Sequence, residues 1–211
     1  MNDRILLSII AILLIARTPL HSQTPMQILD KTAAVINGSD GLGGNFTVTT
    51  FDGNTPRDKV TGTIQLKGQM YFLKTPQITT WYNGRKMWTY IQGSDEVSQT
   101  VPTDEELQQS SPTAFLSIYK KGYKLSSKTA SLRGKSTWEV TLSSKSKKNS
   151  TPQTIIVNID KQTSLPMCVR IRHQGQWTRI SMSGIKTLRD LSPSQFDFPS
   201  KDYPQVQVIE L

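Results

Sequence analysis

Residues 78–90 read ITTWYNGRKMWTY, and their reading decides the fold. Two short runs of Thr, Trp and Tyr, Ile78–Tyr82 and Lys86–Ile91, flank Asn83–Gly84. β-branched and aromatic residues favour a pleated surface, and Asn-Gly tolerates positive φ, so the stretch predicts two antiparallel strands joined by a tight turn. Upstream, Lys59–Lys67 places Val60, Gly62, Ile64 and Leu66 on one face, Phe46–Phe51 alternates with threonine, and Met70–Lys74 is another short apolar run. The first half therefore reads as an antiparallel meander.

The pattern resumes later in Tyr123–Thr129, Ser136–Ser143, Gln153–Asp160, Met167–Gln174 and Gln176–Ile185, and Val206–Leu211 supplies a last extended segment. In the second half Trp138, Val140 and Leu142 share a face, as do Ile155, Val157 and Ile159. About ten strands predict a mainly β chain whose long sheet must curl into an open or closed barrel, its interior either filled by side chains or enclosing a ligand cavity. Helical signals are few. Pro25–Ile36 has proline in the first turn, an apolar stripe of Ile28, Leu29, Ala33 and Ile36, and a stop at Asn37–Gly38. Pro102–Tyr119 predicts two short helices split by Pro112. Thr103 and Glu106 form a capping box on the first. Such helices can cover one face of the sheet.

At the start, Met1–Arg4 is charged, Ile5–Ala16 is apolar but for one serine, and a polar run ends in Ser22 before Gln23. That order predicts a secretory signal peptide over 1–22, cleaved at Ser22–Gln23, ahead of a single β-domain over 23–211. The apolar core spans roughly 18 Å as a helix against about 30 Å of bilayer hydrocarbon, too short for a permanent anchor. The net charge of +9 favours anionic partners such as acidic ligands or an anionic membrane face, and export makes nucleic acid the least suitable of them.

Chemistry-bearing residues are scarce. His21 leaves with the signal segment, so His173 is the one histidine of the remainder, and Cys168 is the one cysteine. Together they cannot supply the three or four ligands of a zinc site. Asp104–Glu106 open a helix, where carboxylates suit the dipole, and Gly38–Gly44 lacks the lysine of a phosphate-binding loop. The sequence thus predicts no enzyme, no cofactor and no metal. Trp81, Tyr82, Trp88, Tyr90 and Trp138 read first as packing residues.

GTIQLK at 62–67, the aromatic strand 70–74 and ITTWYNGRKMWTY at 78–90 together resemble the central signature of the LolA-type periplasmic lipoprotein carriers. The helical pair at Pro102–Tyr119 falls where that family has its lid, and Phe196–Pro199 followed by Val206–Ile209 is similar to its closing strand. The resemblance implies an incomplete antiparallel barrel with a helical lid over a hydrophobic cavity. It also implies a periplasmic carrier that binds the acyl chains of lipoproteins and moves them from the inner to the outer membrane. Acylated lipoproteins, an inner-membrane releasing transporter and an outer-membrane acceptor would be its partners, and the carrier a monomer. On that reading Ile64, Leu66, Phe72, Trp88, Tyr90, Trp138 and Val140 line the cavity, Phe115, Leu116 and Ile118 form the lid, and Lys145, Lys147 and Lys148 lie in an exposed loop. One departure stands out: Gly68–Gln69 occupies the place of an Arg-Pro pair whose arginine latches the lid in many relatives. The alternatives are a periplasmic β-protein for another lipid or polymer, and a structural adaptor with a filled core.

Overall fold

The computed structural model describes residues 23–113, 115–120, 122–146 and 152–211, with the side chains of 108–110, 115 and 117 outside the described set. The expected signal segment, Lys147 and Lys148, and the side chain of Phe115 therefore lie outside the described residues.

Twelve strands form one curled, unclosed sheet. In chain order they are β1 Leu42–Asp52, β2 Thr55–Lys67, β3 Met70–Lys74, β4 Ile78–Tyr82, β5 Met87–Ile91 and β6 Glu96–Thr100. After the helical interruption come β7 Tyr123–Leu132, β8 Lys135–Ser144, β9 Thr154–Asp160, β10 Pro166–His173, β11 Gln176–Thr187 and β12 Gln207–Glu210. The spatial order is β12-β6-β5-β4-β3-β2-β1-β11-β10-β9-β8-β7, so two meanders meet where β1 pairs with β11. Every pairing is antiparallel except that of β12 with β6. The sheet has two strands more than the ten expected, because Glu96–Thr100 (EVSQT) carries a single aliphatic residue and no alternation to read, and the final extended segment joins the sheet as a strand.

Between β4 and β5 the turn spans four residues rather than two. Asn83 Oδ1 accepts from the amides of Arg85 and Lys86, and only Gly84 takes positive φ, so β5 starts at Met87. The β2–β3 turn is tighter, with Gly68 at φ +57°. A side chain there would face the left-handed penalty of about 1–2 kcal/mol, which gives a local reason for glycine at this position.

Helix α1, Pro25–Asn37, starts at a Thr24–Gln27 capping box and buries Ile28, Leu29, Thr32 and Ile36. Helix α2, Asp104–Ser110, has the expected Thr103–Glu106 capping box, and the four-residue α3, Phe115–Ile118, packs against α1. Two bodies of apolar side chains hold the chain. One joins Ile28, Leu29 and Tyr119 to Val140, Leu142, Ile155, Val157, Ile159 and Val169. The other gathers Trp81, Trp88, Tyr90 and Val97 with Phe72, Phe198, Tyr203 and Val206.

Candidate functional site

Cross-strand partners in an antiparallel ladder share a face, so the register sorts every side chain to one side of the sheet. Starting from Val140, the row Val157, Val169, Ile180, Val48 and Val60 crosses five strand boundaries on one side. The neighbouring row Ile64 and Leu73, and the row Leu42, Leu66, Tyr71 and Tyr82, lie on that same side. Helices α1 and α3 cover it, since Ile28, Leu29 and Tyr119 pack on Val140, Val157 and Val169, and we call it the inner face.

Of the seven residues expected on one concave face, the structure brings together four. Ile64 and Leu66 on β2 and Trp138 and Val140 on β8 are on the inner face. Val140 is fully buried beneath the helices, and the Trp138 ring carries the Lys161 ammonium 3.8 Å from its centroid. Phe72, Trp88 and Tyr90 are on the outer face, which corrects their expected position. The cause is the C-terminal segment, which lies over the outer face of the first meander. Trp81 meets Phe198 edge-on at 5.4 Å between centroids, and Tyr203 meets Tyr90 edge-on and lies tilted against Phe198. Trp88 donates its indole N–H to Gln99 Oε1 at 3.0 Å, so these aromatics are held as packing.

Leu116 and Ile118 are partly buried against the inner-face core. Burial, and the charge of Asp104 at the start of α2, raise the Tyr82 phenol. An apolar cavity of about 30 Å³ lies among Ile36, Leu42, Ile64, Leu66, Met182 and Ile185. A larger hollow of about 370 Å³ adjoins it, sharing Leu165, Pro166, Met182 and Ile185 and lined further by Arg133, Lys135 and Asp160. Towards the β3–β4 and β5–β6 turns the face is open, although Tyr71 and Tyr82 on the same side are buried. Ile78 and Ile91 face one another across β4 and β5 and are 43 % and 61 % exposed, and Val60 on β2 is 39 % exposed. Sequence reasoning passed over Ile78 and Ile91, although the parity that selects Tyr82 within ITTWY selects Ile78 as well.

The residues with catalytic potential are engaged otherwise. Glu106 closes the helix cap, and hydrogen bonds from the Thr103 amide and hydroxyl hold its carboxyl below the usual range. Burial pushes the Cys168 thiol up. His173 ends β10 opposite Gln176. No group of three or more His, Cys, Asp or Glu among the described residues could hold a metal ion. Among the same residues no helix is long and apolar enough to cross a membrane.

The architecture is thus an unclosed, mainly antiparallel sheet whose apolar inner face is partly covered by short helices. Over residues 20–176 the chain matches the family described as outer membrane lipoprotein carrier protein LolA, and it belongs to that family. No curated protein matches it at a significant level. Among solved structures it is similar to MucB, at 13% identity and a TM-score of 0.50 over 83% of this chain and 63% of that one. It is also similar to a LolA superfamily protein from Nitrosomonas europaea, at 14% identity and a TM-score of 0.44 over 84% of this chain and 99% of that one. A third is the Mycobacterium tuberculosis lipoprotein LppX, at 13% identity and a TM-score of 0.49 over 80% and 98% of the two chains.

Proposed function

We propose that this protein carries the acyl chains of lipoproteins on its inner face, through the periplasm, from the inner towards the outer membrane. The observation that carries this reading is the continuity of the inner face. It runs apolar from the helix-covered rows of Val140 and Val157 to Ile64, Leu66 and Leu73, and past Thr80 and Thr89 it reaches Ile78 and Ile91, which are exposed. An acyl chain of sixteen carbons is worth on the order of 12 kcal/mol of membrane affinity at about 0.8 kcal/mol per methylene, so a carrier has to offer comparable apolar surface. Leu116, Ile118 and Tyr119 occupy that surface in the closed form. Cargo entering along Ile78, Ile91 and Val60 would displace α2 and α3, short helices with little stability of their own. In this reading Ile64, Leu66, Trp138 and Val140 line the acyl site, Leu116 and Ile118 act as its lid, and Phe115 belongs to the same lid segment. A releasing complex in the inner membrane and an acceptor at the outer membrane would be the partners.

The test is binding of the chain from Gln23 to Leu211, which contains every described element, to a triacylated lipopeptide and to the same peptide without its acyl chains. Binding that requires the acyl chains is expected. Binding to neither would turn the reading towards an adaptor whose inner face is permanently filled.

A further inference from the structure

The outer face differs along the sheet. On β3–β6 it is aromatic and covered by the C-terminal segment, whereas on β1, β2, β10 and β11 it is basic. Arg170 on β10 lies directly opposite Arg179 on β11, Arg172 lies opposite Trp177, and Trp177 lies opposite Phe51 on β1. Thr49, the partner of Arg179 on β1, pairs on its other side with Lys59 of β2. Four cations and two aromatic rings thus share one end of one face across four strands. The Arg179 guanidinium lies 5.2 Å from the Phe51 ring centroid. A hollow of about 240 Å³ lies among Phe51, Gly53, Asn54, Arg170, Trp177 and Arg179.

Like charges directly opposite in a ladder are destabilising, and little here offsets them. Glu139 pairs with Arg170 at 3.2 Å but is shared with Lys128 at 3.1 Å. Among the described residues neither Arg172, Arg179 nor Lys59 forms a salt bridge. Asp52 and Asp58 of the β1–β2 hairpin alternate onto the other face, where Asp58 accepts from the Thr50 hydroxyl. Three exposed cations without an acidic partner among the described residues, beside an Arg170 that shares its one carboxylate, store unfavourable energy that an anion relieves.

We infer that this strip of the outer face docks the protein onto a bilayer bearing anionic lipid headgroups. Three observations favour a bilayer over a single small anion. The cations spread over four strands, roughly 14 Å at the usual strand spacing, which matches several headgroups and no single phosphate. Trp177 and Phe51 are half-buried among them, and aromatic rings beside basic residues suit the water–hydrocarbon boundary. The strip also lies at the end of the sheet where the inner face is open. The β1–β2 and β10–β11 hairpins turn towards that end, and Ile78 and Ile91 lie at the same end of β4 and β5, level with Gly62 and set back from the hairpin tip at Gly53–Asn54. A membrane met at this rim would find the basic strip and the apolar opening together. The inference needs no assumption about what the inner face carries.

The experiment is co-sedimentation of the Gln23–Leu211 chain with vesicles of phosphatidylglycerol mixed equally with phosphatidylcholine, against vesicles of phosphatidylcholine alone. The parent is expected to bind the anionic vesicles and not the neutral ones. Arg172→Gln with Arg179→Gln should lower partitioning about thirtyfold at low ionic strength, since each cation near such a surface contributes about 1 kcal/mol. Both positions are exposed, so the melting curve should barely change. The paired lysine variant keeps the charge and should bind like the parent. Equal binding to neutral vesicles, absence of binding to anionic ones, or parent-like binding by the glutamine variant would overturn the inference. So would displacement by inorganic phosphate at constant ionic strength, which would mark a small-anion site instead.

Discussion

The Tyr119 hydroxyl donates a hydrogen bond to Asp30 Oδ1, fastening the residue that follows α3 to the exposed side of α1. Lys120 reaches the same carboxylate at 3.5 Å. Burial, and then the hydrogen bond and charge of Asp30, push the Tyr119 phenol up to about 12. The proposed lid is therefore fastened at its end by a tyrosine whose ring is core and whose oxygen is a tether.

Removing that oxygen separates the two roles. Tyr119→Phe keeps the ring and should cost about 1–3 kcal/mol, the range for a hydrogen bond to a charged partner. Because the folded phenol titrates above its ordinary value of 10.0, its contribution is complete below pH 10 and disappears as pH rises towards about 12. Urea melts of parent and variant should therefore differ at neutral pH and converge in that alkaline window. Tyr82, Tyr123 and Tyr203 are raised too, but they are common to both proteins and cancel in the difference. A constant difference up to pH 12 would remove the tether.

Gly62 carries a steric prediction. A Cβ built there would lie 2.3 Å from the Lys74 carbonyl oxygen and 2.7 Å from the Phe46 ring. The missing side chain lets β3 and Phe46 close onto β2. Gly62→Ala should destabilise by about 1–3 kcal/mol, the range for overpacking, and a thermal melt that leaves Tm unchanged would contradict that account.

Much of the inner face was legible because its strands alternate. In Val60, Gly62, Ile64 and Leu66 every second residue is small or apolar and the intervening ones are polar, so parity alone assigns the face. It failed in MYFLK and MWTYI, where adjacent residues are all large. Tyr71 and Phe72, or Met87 and Trp88, point to opposite sides and both find cover. What covers the outer side is the segment bearing Phe198 and Tyr203, more than a hundred residues away, and no local pattern announces it. The helix caps, by contrast, are local: Thr103 with Glu106 was read as a capping box from the sequence, whereas Thr24 with Gln27, the same spacing, was passed over.

That division between faces can be tested directly. Trp81→Ala on the outer face should lower stability by about 3–5 kcal/mol, as for other buried aromatics, while leaving lipopeptide affinity unchanged in the folded protein. Ile78→Gln with Ile91→Gln on the exposed part of the inner face should do the reverse, weakening acyl-dependent binding with little change in Tm, because both side chains are already exposed and no charge is added to the cross-strand pair. Loss of lipopeptide binding in a folded Trp81→Ala protein would return the aromatics to the site.

The acid limb of stability should be set on the second meander by two carboxylates, of which Asp160 is the more sharply defined. It closes the β9–β10 turn by accepting from the amides of Gln162 and Thr163 on one oxygen and from Lys135 Nζ at 2.7 Å on the other. The hydrogen bond from Lys135 is the largest influence on its carboxyl, ahead of burial, and the balance holds it below its usual value. At Glu139 burial pushes upward, but hydrogen bonds from Lys128 and Asn158 and the charges of Lys128 and Arg170 outweigh it. A depressed folded value means that the contribution is complete above the unfolded carboxylate range of about 4 and is lost as pH falls below it. Asp160→Asn keeps the shape and the turn but gives up the charge. It should cost about 1–3 kcal/mol at pH 7 and flatten the fall in stability between about pH 4 and pH 2. Chemical denaturation across that window measures both effects, and an Asn variant as acid-sensitive as the parent would move the titrating group elsewhere.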